Sequence, residues 1–240
     1  MTDYALYVES GPKRRKTMVH VLDLLGCTVN GPTTDAALAA TPDAIRAYLR
    51  FLRQHGEAVD PNAPFTTSVA LHVMEGQWLG NGNPDGGFPP DFQSLTIEEL
   101  HVYLPRLTWL GAELSRCIGI YVLSREQMLA KPAGGGRPIY DILVHVADAE
   151  YAYFQSPVNK PEGLSVALKA VQQGPESIPS ALPLFWQIAH SCLEAMTEAD
   201  RTQFVQHGVR TWTARRAMRR MLEHAWEHLQ EIRVRLEKSG

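Results

Sequence analysis

Paired cysteines are missing from this sequence. Its three cysteines, Cys27, Cys117 and Cys192, lie far apart, and no two of them form a CxxC pair. This pattern argues against a thiolate zinc site and against a thioredoxin-type redox motif. Small buried thiols in odd number fit a reducing compartment, so we expect a cytoplasmic protein.

Long apolar runs and a strong net charge are missing as well. No apolar run approaches the ~20 residues of a membrane-spanning helix, and the first ten residues lack a signal pattern. A formal net charge of −3 gives no general attraction for nucleic acid or an anionic bilayer. The short basic clusters at 13–16 and 215–220 are interpreted as a hairpin edge and a solvated helix start. We therefore expect neither a nucleic-acid nor a membrane partner.

The first third of the chain has the pattern of a small α+β domain. The 240 residues are 45% hydrophobic and 20% charged, as in ordinary globular proteins. Apolar alternation, turn residues and helical periodicity predict three strands, one helix and one further strand within residues 1–80. The predicted elements are the strands Tyr4–Val8, Met18–Leu24 and Gly26–Gly31, the helix Ala36–His55 and a fourth strand Val69–Leu79.

The rest of the chain has the pattern of a helical domain. Residues 81–94 are rich in Pro and Gly and are interpreted as a linker. Helical periodicity after them predicts an all-α four-helix bundle over residues 95–240, with one long connection at 156–180 that holds a short helix. The four predicted helices are Leu95–Leu129, with a break at Pro105, Pro138–Phe154, Ser180–Met196 and Thr213–Glu237. Residues 197–213 are expected to be irregular.

Two histidines four residues apart mark the last predicted helix. Four residues are about 400° of helical rotation, so His224 and His228 lie on one face, one turn apart. Helices offer two nitrogens to one metal ion at this spacing. The best third ligand is His145, which lies among apolar residues in the second long helix. Three neutral imidazoles would leave one coordination position open, as catalytic metal sites do.

Each of these histidines also has a simpler interpretation. A single buried His is more often a hydrogen-bonded core residue, and exposed helices produce HxxxH pairs by chance. Against chance, Leu222, Ala225 and Leu229 place the buried side of the helix around the pair. His190, on the third long helix, could face the core as a fourth ligand or proton carrier.

Two acidic residues near these histidines allow competing interpretations. His224 to His228 also spells HxxEH, the inverted zinc-protease motif with Glu227 as the base. That motif needs a downstream carboxylate ligand, but only 12 of the 240 residues follow His228. Glu150 lies about 140° around the helix from His145, so we expect an outer partner of the site or an interhelix ion pair.

The first domain carries a family resemblance. YALYVES, followed by VHVLDLLGCTVNGPTTDAALAATPDAIRAYLRFL, resembles the HicB-like fold over residues 1–80. HicB proteins are antitoxins that bind a small toxin ribonuclease and often carry a DNA-binding tail. This sequence departs from them because no helix-turn-helix or ribbon–helix–helix pattern follows the domain.

The helical region carries a second resemblance. ILVHVADAEYAY and RRMLEHAWEHLQEIRVRL resemble the second- and last-helix motifs of the DinB-like superfamily, over about residues 95–237. The resemblance implies a four-helix bundle with a divalent metal held by one plus two histidines, here His145, His224 and His228. The superfamily includes bacillithiol- and mycothiol-dependent transferases and mycothiol-dependent maleylpyruvate isomerases.

The resemblances imply a metal-dependent transferase that uses a low-molecular-weight thiol, and a homodimer. Zinc or nickel is the first expectation for the metal and iron or manganese the second, since imidazole suits several ions. The alternative is a non-enzymatic module in which the first domain docks a partner and the metal is structural. Antitoxin-like regulation is a third hypothesis. The sequence itself assigns no catalytic residue and no cofactor-binding residue beyond the three histidines.

Overall fold

Four strands and one helix form the N-terminal part of the computed structural model, which describes residues 1–82, 85, 87–121, 123–154 and 161–237, without the side chains of 14, 15, 120 and 121. The elements are β1 (Thr2–Ser10), β2 (Arg15–Val21), β3 (Thr28–Thr33), α1 (Thr34–Gln54) and β4 (Phe65–Val73). The first three strands form an antiparallel meander, and α1 then returns the chain so that β4 lies parallel beside β1. The predicted order of strands and helix is confirmed. The strand β4 begins four residues earlier than predicted because Phe65, Thr66 and Thr67 all suit a strand.

The two faces of this sheet bury different kinds of residue. Leu6 and Val8 on β1 pair with Val21 and Val19 on β2, and this apolar face packs under α1. The alternate residues of β1 and β2 point to the other face and include Tyr7, Glu9 and His20. Because Glu9 and His20 are fully buried, this second face must be covered by the rest of the chain.

The segment predicted as a linker provides part of that cover. Phe88 is fully buried, and its ring lies 5.0 Å from the His20 ring and 5.5 Å from the Tyr7 ring. A single turn of 3-10 helix, Pro89–Phe92, follows and buries Asp91. The part of 81–94 that the structure describes is thus packed between the sheet and the helical region.

Seven α-helices and a small hairpin form the C-terminal part of the described chain. Four helices are long, and the regular elements are α2 (Ile97–Tyr121), α3 (Arg125–Leu129), α4 (Ile139–Tyr153), α5 (Leu164–Val171), α6 (Ile178–Glu194), α7 (Glu198–Thr202), β5 (Val205–His207), β6 (Arg210–Trp212) and α8 (Ala214–Glu237). The prediction of a mostly helical region is confirmed. The count differs from the predicted four because the connecting segments form short helices of their own.

Two local predictions within this region are wrong. Pro105 lies inside α2 and does not break it. Residues 197–213 are not irregular, because Thr197 and Asp200 form a capping box that starts α7. The hairpin β5–β6 then turns at Gly208, whose φ of +61° is readily adopted by glycine.

Helix α8 is the element that joins the two parts. It packs against α2 and α4 on one side and against β3 and the turn Pro89–Phe92 on the other. Trp226 of α8 lies edge-on to Tyr48 of α1, with ring centroids 4.9 Å apart. None of the helices that the structure describes combines the length and hydropathy needed to cross a bilayer.

Candidate metal centre

Helices α4 and α8 bring the three predicted histidines together. One nitrogen from each of His145, His224 and His228 can be chosen so that all lie within 4.8 Å of one another. Nε2 of His224 lies 3.2 Å from Nε2 of His145. His224 and His228 are buried and His145 is half-buried, so His145 of α4 is the most exposed member of the cluster.

The spacing and protonation of these imidazoles suit a metal ion. Two nitrogens bound to one tetrahedral zinc at ~2.05 Å are about 3.3 Å apart, close to the observed 3.2 Å. Burial, aided by the nearby charge of Arg137, lowers the pKa of His145 to about 4. Burial and the neighbouring His228 lower the pKa of His224 well below its ordinary value. Both rings are therefore neutral at physiological pH, as metal ligands must be.

An outer carboxylate fixes the third imidazole. Nδ1 of His228 lies 2.8 Å from Oε2 of Glu231, one turn further along α8, which leaves Nε2 for the cluster. The hydrogen bond from His228 lowers the pKa of Glu231, so the carboxylate is ionised. Arg235 contacts its other oxygen. Carboxylate–histidine pairs of this kind orient metal ligands, and the three-residue spacing was a signal for Glu231 that the sequence analysis missed.

Glu227 and His190, the other residues weighed from sequence, lie elsewhere. Glu227 accepts a hydrogen bond from Asn30 of β3, which gives no support to the inverted zinc-protease interpretation. His190 lines a groove of about 510 Å³ between α2 and α6, so the structure does not bring it to the triad.

Glu150 forms neither the ion pair nor the outer contact that we expected. It is fully buried, and neither carboxylate oxygen has a hydrogen-bond partner among the described residues. Burial raises the pKa of Glu150 well above its ordinary value, against the opposing charge of Arg220. The fold therefore disfavours the charged form of this carboxyl.

A buried ion-pair cluster lies one turn before the triad on α8. Arg219 donates to Asp91 at 2.6 and 2.9 Å and to Glu223 at 2.7 Å. Nδ1 of His20 lies 2.9 Å from Glu223, and Arg220 donates to the same carboxylate at 3.2 Å. The expectation that the arginines of 215–220 form a solvated helix start is wrong, because three of them are buried: Arg216, Arg219 and Arg220.

The electrostatics of this cluster keep its members ionised. Burial opposes the charged form of Glu223, but Arg219 and His20 outweigh it and lower the pKa of Glu223 to about 2. Burial likewise opposes the charged form of His20, and Glu223 outweighs it and raises the pKa of His20. The N-terminal sheet is thereby bound to the residue that directly precedes the metal-ligand candidate His224.

Tyr153 links this cluster to the histidines. Its hydroxyl accepts a hydrogen bond of 3.3 Å from Nη2 of Arg220. Its ring lies nearly perpendicular to the His224 ring, with centroids 6.3 Å apart, and also contacts Trp212 at 5.8 Å. The side chain is half-buried, so it forms part of the wall beside the triad.

A comparison with known proteins agrees with one of the two resemblances. Residues 120–232 match the family model of the DinB superfamily, and this segment contains all three histidines. No curated protein and no solved structure matches the chain. The segment 120–232 is therefore DinB-like, and the HicB-like character of residues 1–80 stays a prediction.

Proposed function

We propose that the protein is a metal-dependent transferase that uses a low-molecular-weight thiol, with the metal held by His145, His224 and His228. The observation that carries the proposal is the convergence of three imidazoles, with no carboxylate or thiolate among the three converging groups. Such a donor set leaves a position for a ligand, whereas structural zinc sites use four protein ligands. Zinc or nickel is the expected ion, and iron or manganese follows, because three imidazoles discriminate weakly.

The three histidines and Glu231 would have different roles in such a site. A divalent metal, when bound, would supply the positive charge that stabilises a thiol as its thiolate. His224 and His228 are held rigidly in the buried face of α8, and Glu231 keeps the His228 tautomer fixed. His145 is the most exposed of the three, and a thiol and an electrophilic second substrate would enter beside it.

Elemental analysis beside a thiol titration tests the proposal. The wild type should bind one divalent ion per chain and the His145→Ala variant much less, while the His190→Ala control should retain full content. In the cobalt-loaded wild type, a simple thiol such as 2-mercaptoethanol should produce a thiolate-to-metal charge-transfer band. Equal metal content in all three proteins would refute the triad.

The non-enzymatic alternative is supported by the packing of α8. Because α8 carries two candidate ligands and also binds the N-terminal sheet, a metal there could stabilise the fold alone. On that interpretation, His224→Ala lowers the melting temperature and the loaded protein binds no thiol. A partner for residues 1–80, a homodimer and a cytoplasmic location stay predictions that pull-down, sedimentation and localisation would test.

A further inference from the structure

We propose that Tyr153 is a catalytic residue whose hydroxyl donates a hydrogen bond to the ligand bound at the open position of the triad, and that Arg220 positions it. This inference rests on the proposed function in one respect, namely that a metal and its ligand occupy the triad. It adds a donor that neither the histidine spacing nor the family resemblance identifies.

The hydrogen-bond pattern leaves the hydroxyl hydrogen of Tyr153 available for donation. Arginine can only donate, so the 3.3 Å contact with Arg220 uses the Tyr153 oxygen as an acceptor. The tyrosine's own hydrogen has no acceptor in the part of the chain that the structure describes. The hydroxyl is therefore a donor without a protein acceptor, and its ring stands edge-on beside a ligand imidazole.

The position of Arg220 is set by contacts other than the one with Tyr153. Arg220 is buried, and Glu223 holds its Nη1. Glycine at position 82 gives the guanidinium its space, because a Cβ there would lie 2.2 Å from Nη1. The N-terminal sheet completes the support, since His20 binds the same Glu223 carboxylate.

The ring contacts of Tyr153 do not explain why this position carries a hydroxyl group. Phenylalanine would preserve the packing on Trp212 and the edge contact with His224. A half-buried phenol directed at a cationic guanidinium is, however, a good donor to an anion because the arginine polarises the O–H bond. A thiolate or carboxylate at the metal would provide the missing acceptor, as oxyanion-hole donors do for developing charge.

Cobalt-substituted protein provides a test that does not depend on turnover. Tyr153→Phe is compared with Tyr140→Phe, a control on the same helix whose hydroxyl donates to the Val171 carbonyl at 3.3 Å. Azide and 2-mercaptoethanol serve as anionic probes, and their dissociation constants are read from the cobalt absorption spectrum. We expect unchanged cobalt content and ligand-free spectra in both variants. Probe affinity should fall about ten- to hundredfold in Tyr153→Phe alone.

The outcomes separate this inference from the proposed function. Equal probe affinity in Tyr153→Phe and wild type overturns the role of Tyr153 and leaves the metal site intact. Loss of cobalt from Tyr153→Phe also overturns it, because the residue would then support the metal site rather than the ligand. A wild type that binds cobalt but neither probe has no accessible position and overturns it as well. Failure of the wild type to bind cobalt refutes the metal proposal itself.

Discussion

Two adjacent stretches of α8 bury polar groups in opposite ways: what we call the paired half runs up to Glu223, and the unpaired half begins at His224. In the paired half, Arg219 and Glu223 face charges of the other sign, and their hydrogen bonds with each other, with Asp91 and with His20 are between 2.6 and 2.9 Å. In the unpaired half, His224 and His228 converge with His145, and the ionised Glu231 contacts His228 only at the nitrogen that faces away from the cluster. Buried charges are stable only when they are paired with the opposite charge. Buried imidazole nitrogens that face one another instead favour the binding of a cation between them.

This difference separates a structural network from a ligand site on one helix. Arg219 is saturated by its protein partners, so nothing further is needed to keep it in the interior. Nδ1 of His224 is buried without a partner in the described chain, and its Nε2 meets only another imidazole nitrogen. Burial alone therefore does not identify a functional group. A better indication is that several buried polar atoms without partners converge on one point.

The largest effect on stability should come from removing an ion pair of the paired half. Arg219→Leu would remove the ion-pair partner of buried Asp91 and one of the three partners of buried Glu223, so we expect a loss of about 3–5 kcal/mol in the free energy of unfolding, measured by urea denaturation. Arg233→Leu on the same helix removes a partly exposed pair with Glu113 and should cost less than about 1 kcal/mol. Similar losses in the two variants would contradict the distinction.

The second-largest effect on stability should come from metal binding to the histidines of the unpaired half. Zinc at a hundredfold excess over its dissociation constant should raise the free energy of unfolding by about 2.7 kcal/mol. The His224→Ala variant should show no such increase, while His20→Ala should be less stable without metal but still respond to zinc. The same zinc response in wild type and His224→Ala would show that the ion binds elsewhere.

A smaller effect should come from the carboxylate that orients His228. Glu231→Gln weakens the hydrogen bond to Nδ1, so metal affinity measured by competition with a chelator should fall about 10- to 100-fold. Glu227→Gln is the matched control, because Glu227 contacts Asn30 and not a triad histidine. An unchanged affinity in Glu231→Gln would mean that the ring is fixed by packing alone.

The smallest effect, and one of opposite sign, is expected at Glu150. Because its pKa in the folded state is raised, its contribution to stability is complete below the ordinary Glu pKa near 4.5 and is lost as pH rises toward the folded value. Metal-free Glu150→Gln should therefore be more stable than wild type by about 1 kcal/mol at pH 8, with a difference that shrinks toward pH 4. Stability–pH curves of the same shape in Glu150→Gln and wild type would contradict this.

The metal-ligand candidates could be predicted because their relation is local or follows from element order. His224 and His228 share a face through helical periodicity alone, and an apolar helix required His145 to face neighbouring helices. The order of strands around α1 was likewise readable from alternation and turn residues. These features depend on the chain within a few residues of each position.

The paired half of α8 could not be predicted because its partners are remote. Whether Arg219 is solvated or buried depends on His20, Phe88 and Asp91, which contact it from the sheet and from the segment before α2. The Pro- and Gly-rich composition of 81–94 suggested a solvated connection, so the burial of Phe88 and Asp91 was not predicted. By contrast, the capping box at Thr197 was visible in the sequence and was overlooked.

The separation of 203 residues between His20 and Glu223 has a consequence for biosynthesis. When β1 and β2 leave the ribosome, His20 on the polar face of the sheet has Glu9 beside it but lacks Glu223, which is added only about 200 residues later. Contacts of such long range form slowly and leave the early chain exposed to misassembly. We therefore expect nascent chains stalled before α8 to hold the sheet as a loosely packed species that needs chaperones, and to acquire protease resistance only when α8 is released.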